Sequence, residues 1–316
     1  MLRWVFRTTA RFDVGEVNAH HRSTEARAEG MRIAWLRGEN VSSDYGLLNV
    51  AAPFAHGQSR GSITIVLEGD ARFEERSSRA WLRPGALAVS DQGANGTEAF
   101  AGPVSSYLVF EWDPACFGVA PPRSFQTTKL DARDLDRVRE LALDLEGPHP
   151  AVATSSIVAL LRANGLALAP VVAGDLVDRT TEADRALTNA VQSHLSRLEL
   201  HPSIDDVVAE LGWSSRHVNR RLAALAKAYS LPWEHWRSSL HQARMMAALR
   251  LASVGAATEL VSRKTGFRSP TALCHAFAKA GLPSPGALAR AARAGHGVLD
   301  AWSAHMRPIA DHMAAE

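Results

Sequence analysis

In the first third of the chain, apolar residues come in short β-branched and aromatic runs punctuated by Gly and Pro. Ser62-Ile63-Thr64-Ile65-Val66-Leu67-Glu68 is one such run, and Gly69-Asp70 ends it with a turn signal. Residues 71–74 and 80–82 follow at hairpin spacing, and Arg83-Pro84-Gly85 supplies the next turn. Residues 86–90 and 105–112 predict further strands, the second closed by Asp113-Pro114. Short strands between Gly and Pro turns predict an antiparallel sandwich or barrel up to about residue 120.

Near residue 130 the apolar spacing lengthens. Leu130, Leu135, Val138, Leu141 and Leu145 recur among Asp134, Asp136, Arg137, Arg139 and Glu140, an amphipathic helix that Gly147-Pro148-His149-Pro150 should stop. A second helix is predicted from Ile157 to Leu168, and residues 171–181 read as a linker. Thr181-Glu182-Ala183-Asp184 then has the form of a helix start, with Leu187, Val191, His194, Leu195 and Leu198 along one side.

Two helix pairs follow. Ser203 is placed to cap a helix whose stripe is Ile204, Val207, Val208 and Leu211, with Asp205 and Asp206 in its positive first turn. Gly212 breaks it, and Ser214 caps a second helix running from Ser215 to about Tyr229. After a spacer helix over 235–251, residues 257–265 form another short helix. Gly266-Phe267 turns it, and Ser269 caps a helix running to Gly281. Helix, Gly-containing turn, helix is the helix-turn-helix outline, and here it occurs twice with turn glycines 54 residues apart.

The second helix of the first pair buries Val218, Leu222 and Leu225, which leaves Ser215, Arg216, Asn219 and Arg220 at its solvent-facing N-terminal end. Arg bridges guanine O6 and N7, and Asn bridges adenine N6 and N7, so these are side chains suited to a major groove. Ser214 and Ser215, with the unpaired N–H groups of the helix start, suit a phosphate. In the second pair Leu273, Ala276 and Phe277 face inward, which leaves Thr271, His275 and Lys279 outward, and the cap Ser269 joins Thr271 and His275 as a candidate DNA contact.

Two stretches carry resemblances. Ile65-Val66-Leu67-Glu68-Gly69, followed by Leu82-Arg83-Pro84-Gly85-Ala86-Leu87, looks like the strand-turn pattern of a cupin-type barrel. Gly266-Phe267-Arg268-Ser269-Pro270-Thr271-Ala272-Leu273-Cys274-His275-Ala276-Phe277-Ala278-Lys279, with Pro283-Ser284-Pro285 after it, is similar to the C-terminal signature of the AraC family of transcription regulators. The run from Val208 to Leu222 resembles that family's first helix-turn-helix unit, and together the two cover about residues 183–293. The chain departs from the pattern at Lys227-Ala228-Tyr229-Ser230, where a Gly-containing turn is usual, at His275, where Arg is frequent, and at Pro270-Thr271. The resemblance implies a cupin-like sensor barrel, a connector that dimerises, and a double DNA-binding unit.

Charge sharpens this picture. The net charge of +2 divides into −4 over residues 1–200, +8 over 201–295 and −2 over 296–316, so a polyanion partner is expected for the C-terminal part alone. No run approaches the ~20 apolar residues of a membrane span. The charged start Met1-Leu2-Arg3 does not resemble a signal peptide, and Cys116 and Cys274 are far apart, so a cytoplasmic address is expected. The 13 histidines include His20-His21, His56, His149, His305 and His312, but no His-x-His with a following Glu lies on a strand. No metal, cofactor or catalytic residue is therefore expected. Trp35, Phe54, Trp81, Phe110 and Trp112 read as core or as the lining of an effector pocket.

The expected fold is α+β: a cupin-like barrel over 1–125, a helical connector over 126–180, an all-α domain with two helix-turn-helix units over 181–295, and a tail over 296–316. The expected function is transcription regulation, without enzyme activity. The expected partners are double-stranded DNA, a small-molecule effector in the barrel, a second copy of the chain and RNA polymerase, with no membrane. Two alternatives stand beside it: a metal-dependent cupin-type enzyme with an accessory helical domain, and a constitutive DNA-binding protein whose barrel only dimerises.

Overall fold

The computed structural model describes residues 2–14, 17–28, 31–39, 43–44, 61–75, 78–91, 95–99, 104–114, 120, 126–171, 181–229 and 234–295. Phe54, His56, Cys116, most of the expected linker and the C-terminal tail with His305 and His312 lie outside these residues.

The strands are β1 (Leu2–Val14), β2 (Val17–Ala28), β3 (Met31–Glu39), β4 (Ser43–Asp44), β5 (Gly61–Glu68), β6 (Ala71–Glu75), β7 (Ser78–Leu82), β8 (Ala86–Asp91), β9 (Asn95–Ala99), β10 (Ser105–Trp112) and β11 (Gln126–Lys129). They build an antiparallel 7-stranded sheet, β1-β2-β3-β10-β5-β8-β11, and a 4-stranded sheet, β4-β9-β6-β7. The expected hairpin is present: β6 pairs with β7 in a register that sets Ala71 opposite Leu82.

The central strands β3, β5 and β10 are buried on both sides. Alternate positions Ile33, Trp35, Ile63, Ile65, Leu108, Phe110 and Trp112 form one core with the helices α1 (Ala132–Asp144) and α2 (Pro150–Ala163). Leu135, Val138 and Leu141 of α1, with Ile157, Val158 and Leu161 of α2, supply the helical half. Asp131 caps α1 by accepting from the Asp134 N–H at 2.8 Å. Arg139 donates to the Leu67 carbonyl at 3.0 and 2.6 Å, which fastens α1 to the end of β5.

Pro150 begins α2 rather than belonging to the stop before it, and the helix ends at Asn164. A proline at the first helical position loses no hydrogen bond, because that N–H has no partner within the helix.

The opposite side of the large sheet carries Ala34, Leu36, Tyr107 and Val109, and beyond them Val66 and Ala88 pack with Ala71 and Leu82 of the smaller sheet. A buried ion network lies on this side. Arg32 donates from Nε to Glu25 at 3.0 Å, from Nη2 to the other Glu25 oxygen at 2.5 Å, and from Nη1 to Glu111 at 3.0 Å. Burial opposes the Arg32 charge, but the carboxylates of Glu25 and Glu111 outweigh it and hold the pKa above its ordinary value. Trp35, Phe110 and Trp112 thus belong to the core under the helices, and Trp81 is 63% exposed. The side facing the second sheet combines Arg32, Glu25 and Glu111 with Ala34, Leu36, Tyr107 and Val109.

The remaining helices are α3 (Glu182–Leu195), α4 (Ile204–Leu211), α5 (Ser215–Tyr229), α6 (Trp236–Ser253), α7 (Thr258–Lys264), α8 (Pro270–Lys279) and α9 (Pro285–Arg293), with a 3-10 turn at Leu198–Leu200. They enclose two apolar clusters. One joins Leu187 and Val191 of α3 to Val207, Val218, Leu222, Leu225 and Trp236. The other joins Met245, Leu249 and Ala252 of α6 to Val261, Leu273, Phe277 and Leu288. The helix α6 therefore begins in the first cluster and ends in the second.

Candidate nucleic-acid interface

Each helix pair is set by local chemistry. Ser203 and Asp206 form a reciprocal capping box at the start of α4: the Ser203 N–H donates to the Asp206 carboxylate at 2.6 Å, and the Asp206 N–H to Ser203 Oγ at 3.4 Å. Hydrogen bonds from the Ser203 backbone and hydroxyl hold the Asp206 pKa below its ordinary value. Thr181 and Asp184 make the same device at the start of α3. Gly212 ends α4 with φ +67°, and Gly266 follows α7 with φ +69°, so both turns use the left-handed conformation that favours glycine.

In the first pair, Arg216 and Arg220 stand exposed on α5 and Ser215 is half-buried at its first position. Ser214 is exposed, and its Oγ accepts from the His217 N–H at 3.2 Å, so its main service is to cap α5. The Arg220 Nη2 lies 3.3 Å from His217 Nδ1, and the His217 ring meets Trp213 edge-on at 4.7 Å. Trp213, in the turn, thereby orients His217, and His217 orients Arg220. Neither Trp213 nor His217 stood among the expected site residues, although their spacing to Arg220 is visible in the chain.

Asn219 departs from expectation. It is half-buried, and its Oδ1 accepts from the Trp236 N–H at 3.1 Å, where it satisfies an otherwise unpaired donor in the first turn of α6. Bidentate contact with adenine needs that same oxygen, so in this structure Asn219 fastens α6 instead of facing a groove. Arg221 also turns inward, donating to Asp184 and, at 3.3 Å, to Thr181.

In the second pair, Ser269 is half-buried and caps α8 by accepting from the Ala272 N–H at 3.1 Å. Thr271, His275 and Lys279 are all exposed at intervals of four residues, which places them on one ridge of α8. Cys274 is half-buried between them and the core. The outward positions Arg216 and Arg220 on α5, and Thr271 and His275 on α8, are thus separate ridges presented by the second helix of each pair.

Arg250, near the end of α6, has its Nε sealed from solvent without a hydrogen-bond partner among the described residues. Burial pushes its pKa down to about 10, against the pull of Tyr107 and Glu25.

No protein-family model matches the chain, and no curated protein matches it. Among solved structures it is similar to ToxT from Vibrio cholerae O395, at 9% identity and a TM-score of 0.30, over 79% of this chain and 93% of that one. It is also similar to YlbA from E. coli, at 10% identity and a TM-score of 0.27, over 35% of this chain and 45% of that one. A third likeness is an HTH_3 family transcriptional regulator from Vibrio cholerae, at 13% identity and a TM-score of 0.25, over 30% of this chain and 51% of that one. The chain spans less than half of YlbA and about half of the HTH_3 regulator, and at these scores the likenesses carry no functional argument.

Proposed function

We propose that the chain is a sequence-specific DNA-binding transcription regulator of the AraC type. Residues 1–125 would form a cupin-like sensor, 126–180 a helical connector, 181–295 a double helix-turn-helix reader and 296–316 a tail. One observation carries the reading: two helix pairs with left-handed turn glycines flank the single helix α6, and each presents an exposed polar ridge on its second helix. The net charge of +8 over residues 201–295 gives those ridges their polyanion preference.

Base selection falls to Arg216 and Arg220, whose forked donors match guanine. Ser215, Ser269, Thr271 and His275 are contacts of shorter reach, and Ser214 and Ser269 serve first as caps. An effector that binds the first 125 residues differently in two states would bias the reader. Leu143 of α1 and Val152 of α2, 57% and 54% exposed, support the connector as the place where two copies meet. RNA polymerase would be the partner of the bound regulator.

The test is equilibrium binding of the full chain to duplex DNA across salt, followed by selection from randomised duplexes. Log affinity should fall steeply with log salt. Arg216→Ala or Arg220→Ala should relax base preference in one half of the selected site, at roughly 1–3 kcal/mol per lost bidentate contact. Thr271→Ala and His275→Ala should weaken binding while leaving the preferred bases unchanged. Absence of duplex binding at low salt would sink the reading.

A further inference from the structure

Beside the second helix pair lies a group of three cations and a histidine drawn from three elements. His241 and Arg244 are on α6, Arg268 is in the turn after Gly266, and Lys279 ends α8. The Arg244 guanidinium packs directly on that turn: its Nε and Nη2 both lie 3.3 Å from where a Gly266 Cβ would stand. The Nε is sealed from solvent and has no hydrogen-bond partner among the described residues. None of the four forms an ion pair or a side-chain hydrogen bond among the described residues.

The four sense one another. Burial lowers the His241 pKa, and the charges of Lys279 and Arg244 lower it further; burial and Arg268 act alike on Arg244. Arg244 packs on the turn that carries Arg268, two residues before α8, and Lys279 ends that helix. The row follows the ten residues of α8, about 15 Å at 1.5 Å per residue. It shares Lys279 with the exposed ridge that carries Thr271 and His275.

Like charges gathered without an acid repel, and a buried guanidinium donor without an acceptor carries a desolvation cost. A row of anions opposite them relieves the repulsion, through the exposed Arg268 and Lys279 first of all. Successive phosphates of a DNA strand recur every ~3.4 Å along its axis, so a row of this length faces more than one of them.

We propose that His241, Arg244, Arg268 and Lys279 form a clamp for the phosphodiester backbone beside the second helix pair, which sets the position of the protein and leaves base selection to Arg216 and Arg220. The assignment rests on the DNA-binding reading above. It gives α8 a holding part, in keeping with the short, donor-poor side chains on its ridge.

The experiment uses the full chain and the duplex obtained by selection, alongside one of scrambled sequence. Arg268→Ala and Lys279→Ala alter exposed side chains, and their thermal unfolding serves as the folding control. Each should reduce the slope of log affinity against log salt by about 1, and the pair by about 2, with equal losses on both duplexes. A wild type that binds with no change of slope in either variant overturns the clamp while the DNA reading stands. A loss of base preference in Lys279→Ala overturns it as well, since the ridge would then be reading bases. A wild type that binds neither duplex overturns the DNA reading itself. NMR titration of His241 separates the source of the anion. Its pKa should rise when duplex is added and stay unchanged with the same concentration of inorganic phosphate. A rise with phosphate alone, or none with duplex, overturns the assignment.

Discussion

Replacing Arg32 by alanine should cost about 3–5 kcal/mol of folding stability, the usual consequence of removing one partner from a buried ion network. The guanidinium joins Glu25 through two hydrogen bonds and Glu111 through one, and the side chain of Glu111 is 1% exposed. Without Arg32 the two carboxylates keep their burial but lose their counter-charge, and protonating them becomes the cheaper course. The loss should therefore shrink on acidification. Replacing all three together, as Glu25→Gln, Arg32→Met and Glu111→Gln, should restore most of the stability, because the desolvation of three charges goes with them. Urea unfolding of the single and triple variants at two pH values measures both effects. A single variant within about 1 kcal/mol of wild type would mean that the network is solvated, against the range expected for a buried pair.

The second large effect is expected at the turn of the second helix pair. Gly266→Ala would set a Cβ 2.3 Å from the Leu198 carbonyl oxygen, in a backbone with φ +69°. Gly212→Ala meets the same kind of conformation, at φ +67°, but nothing lies within 4 Å of its Cβ. The comparison separates conformation from collision. Gly212→Ala should cost about 1–2 kcal/mol, the left-handed penalty alone. Gly266→Ala should cost at least about 2 kcal/mol more, since the obstacle is backbone and the Arg244 guanidinium closes the other side. Equal midpoints of thermal unfolding for the two variants would show that Leu198 gives way.

The chain revealed its helices well because their boundaries are written locally. Thr181, Ser203, Ser214 and Ser269 accept from the N–H three residues on, a relation contained within four residues of sequence. Gly212 and Gly266 are legible for the same reason. Pro150 is ambiguous in sequence because a proline both interrupts a helix and suits the first position of the next.

The charged strand side was hidden for another reason. When β3, β5 and β10 are covered on both sides, apolar and polar positions no longer alternate. Arg32 then reads as one polar residue in a β run, and its partners lie 7 and 79 positions away. Asn219 illustrates the limit at the candidate interface. Its place on the helix made it outward-facing by periodicity, but the start of α6 returns 17 residues later and takes its carbonyl.

On the proposed DNA-binding reading, the 18 residues of α6 have a mechanical consequence for the duplex. At 1.5 Å per residue the helix is about 27 Å long, and it cannot be stretched without breaking hydrogen bonds. Equivalent points on one side of a straight duplex recur every ~34–36 Å. If the two helix pairs enter successive grooves and stand no farther apart than α6 is long, the double helix must curve toward the protein to make up the difference. Bending a site of that size costs on the order of 1–6 kcal/mol, depending on the stiffness of its base steps. Bases between the two grooves, touched by no side chain, would then be chosen for how easily they yield.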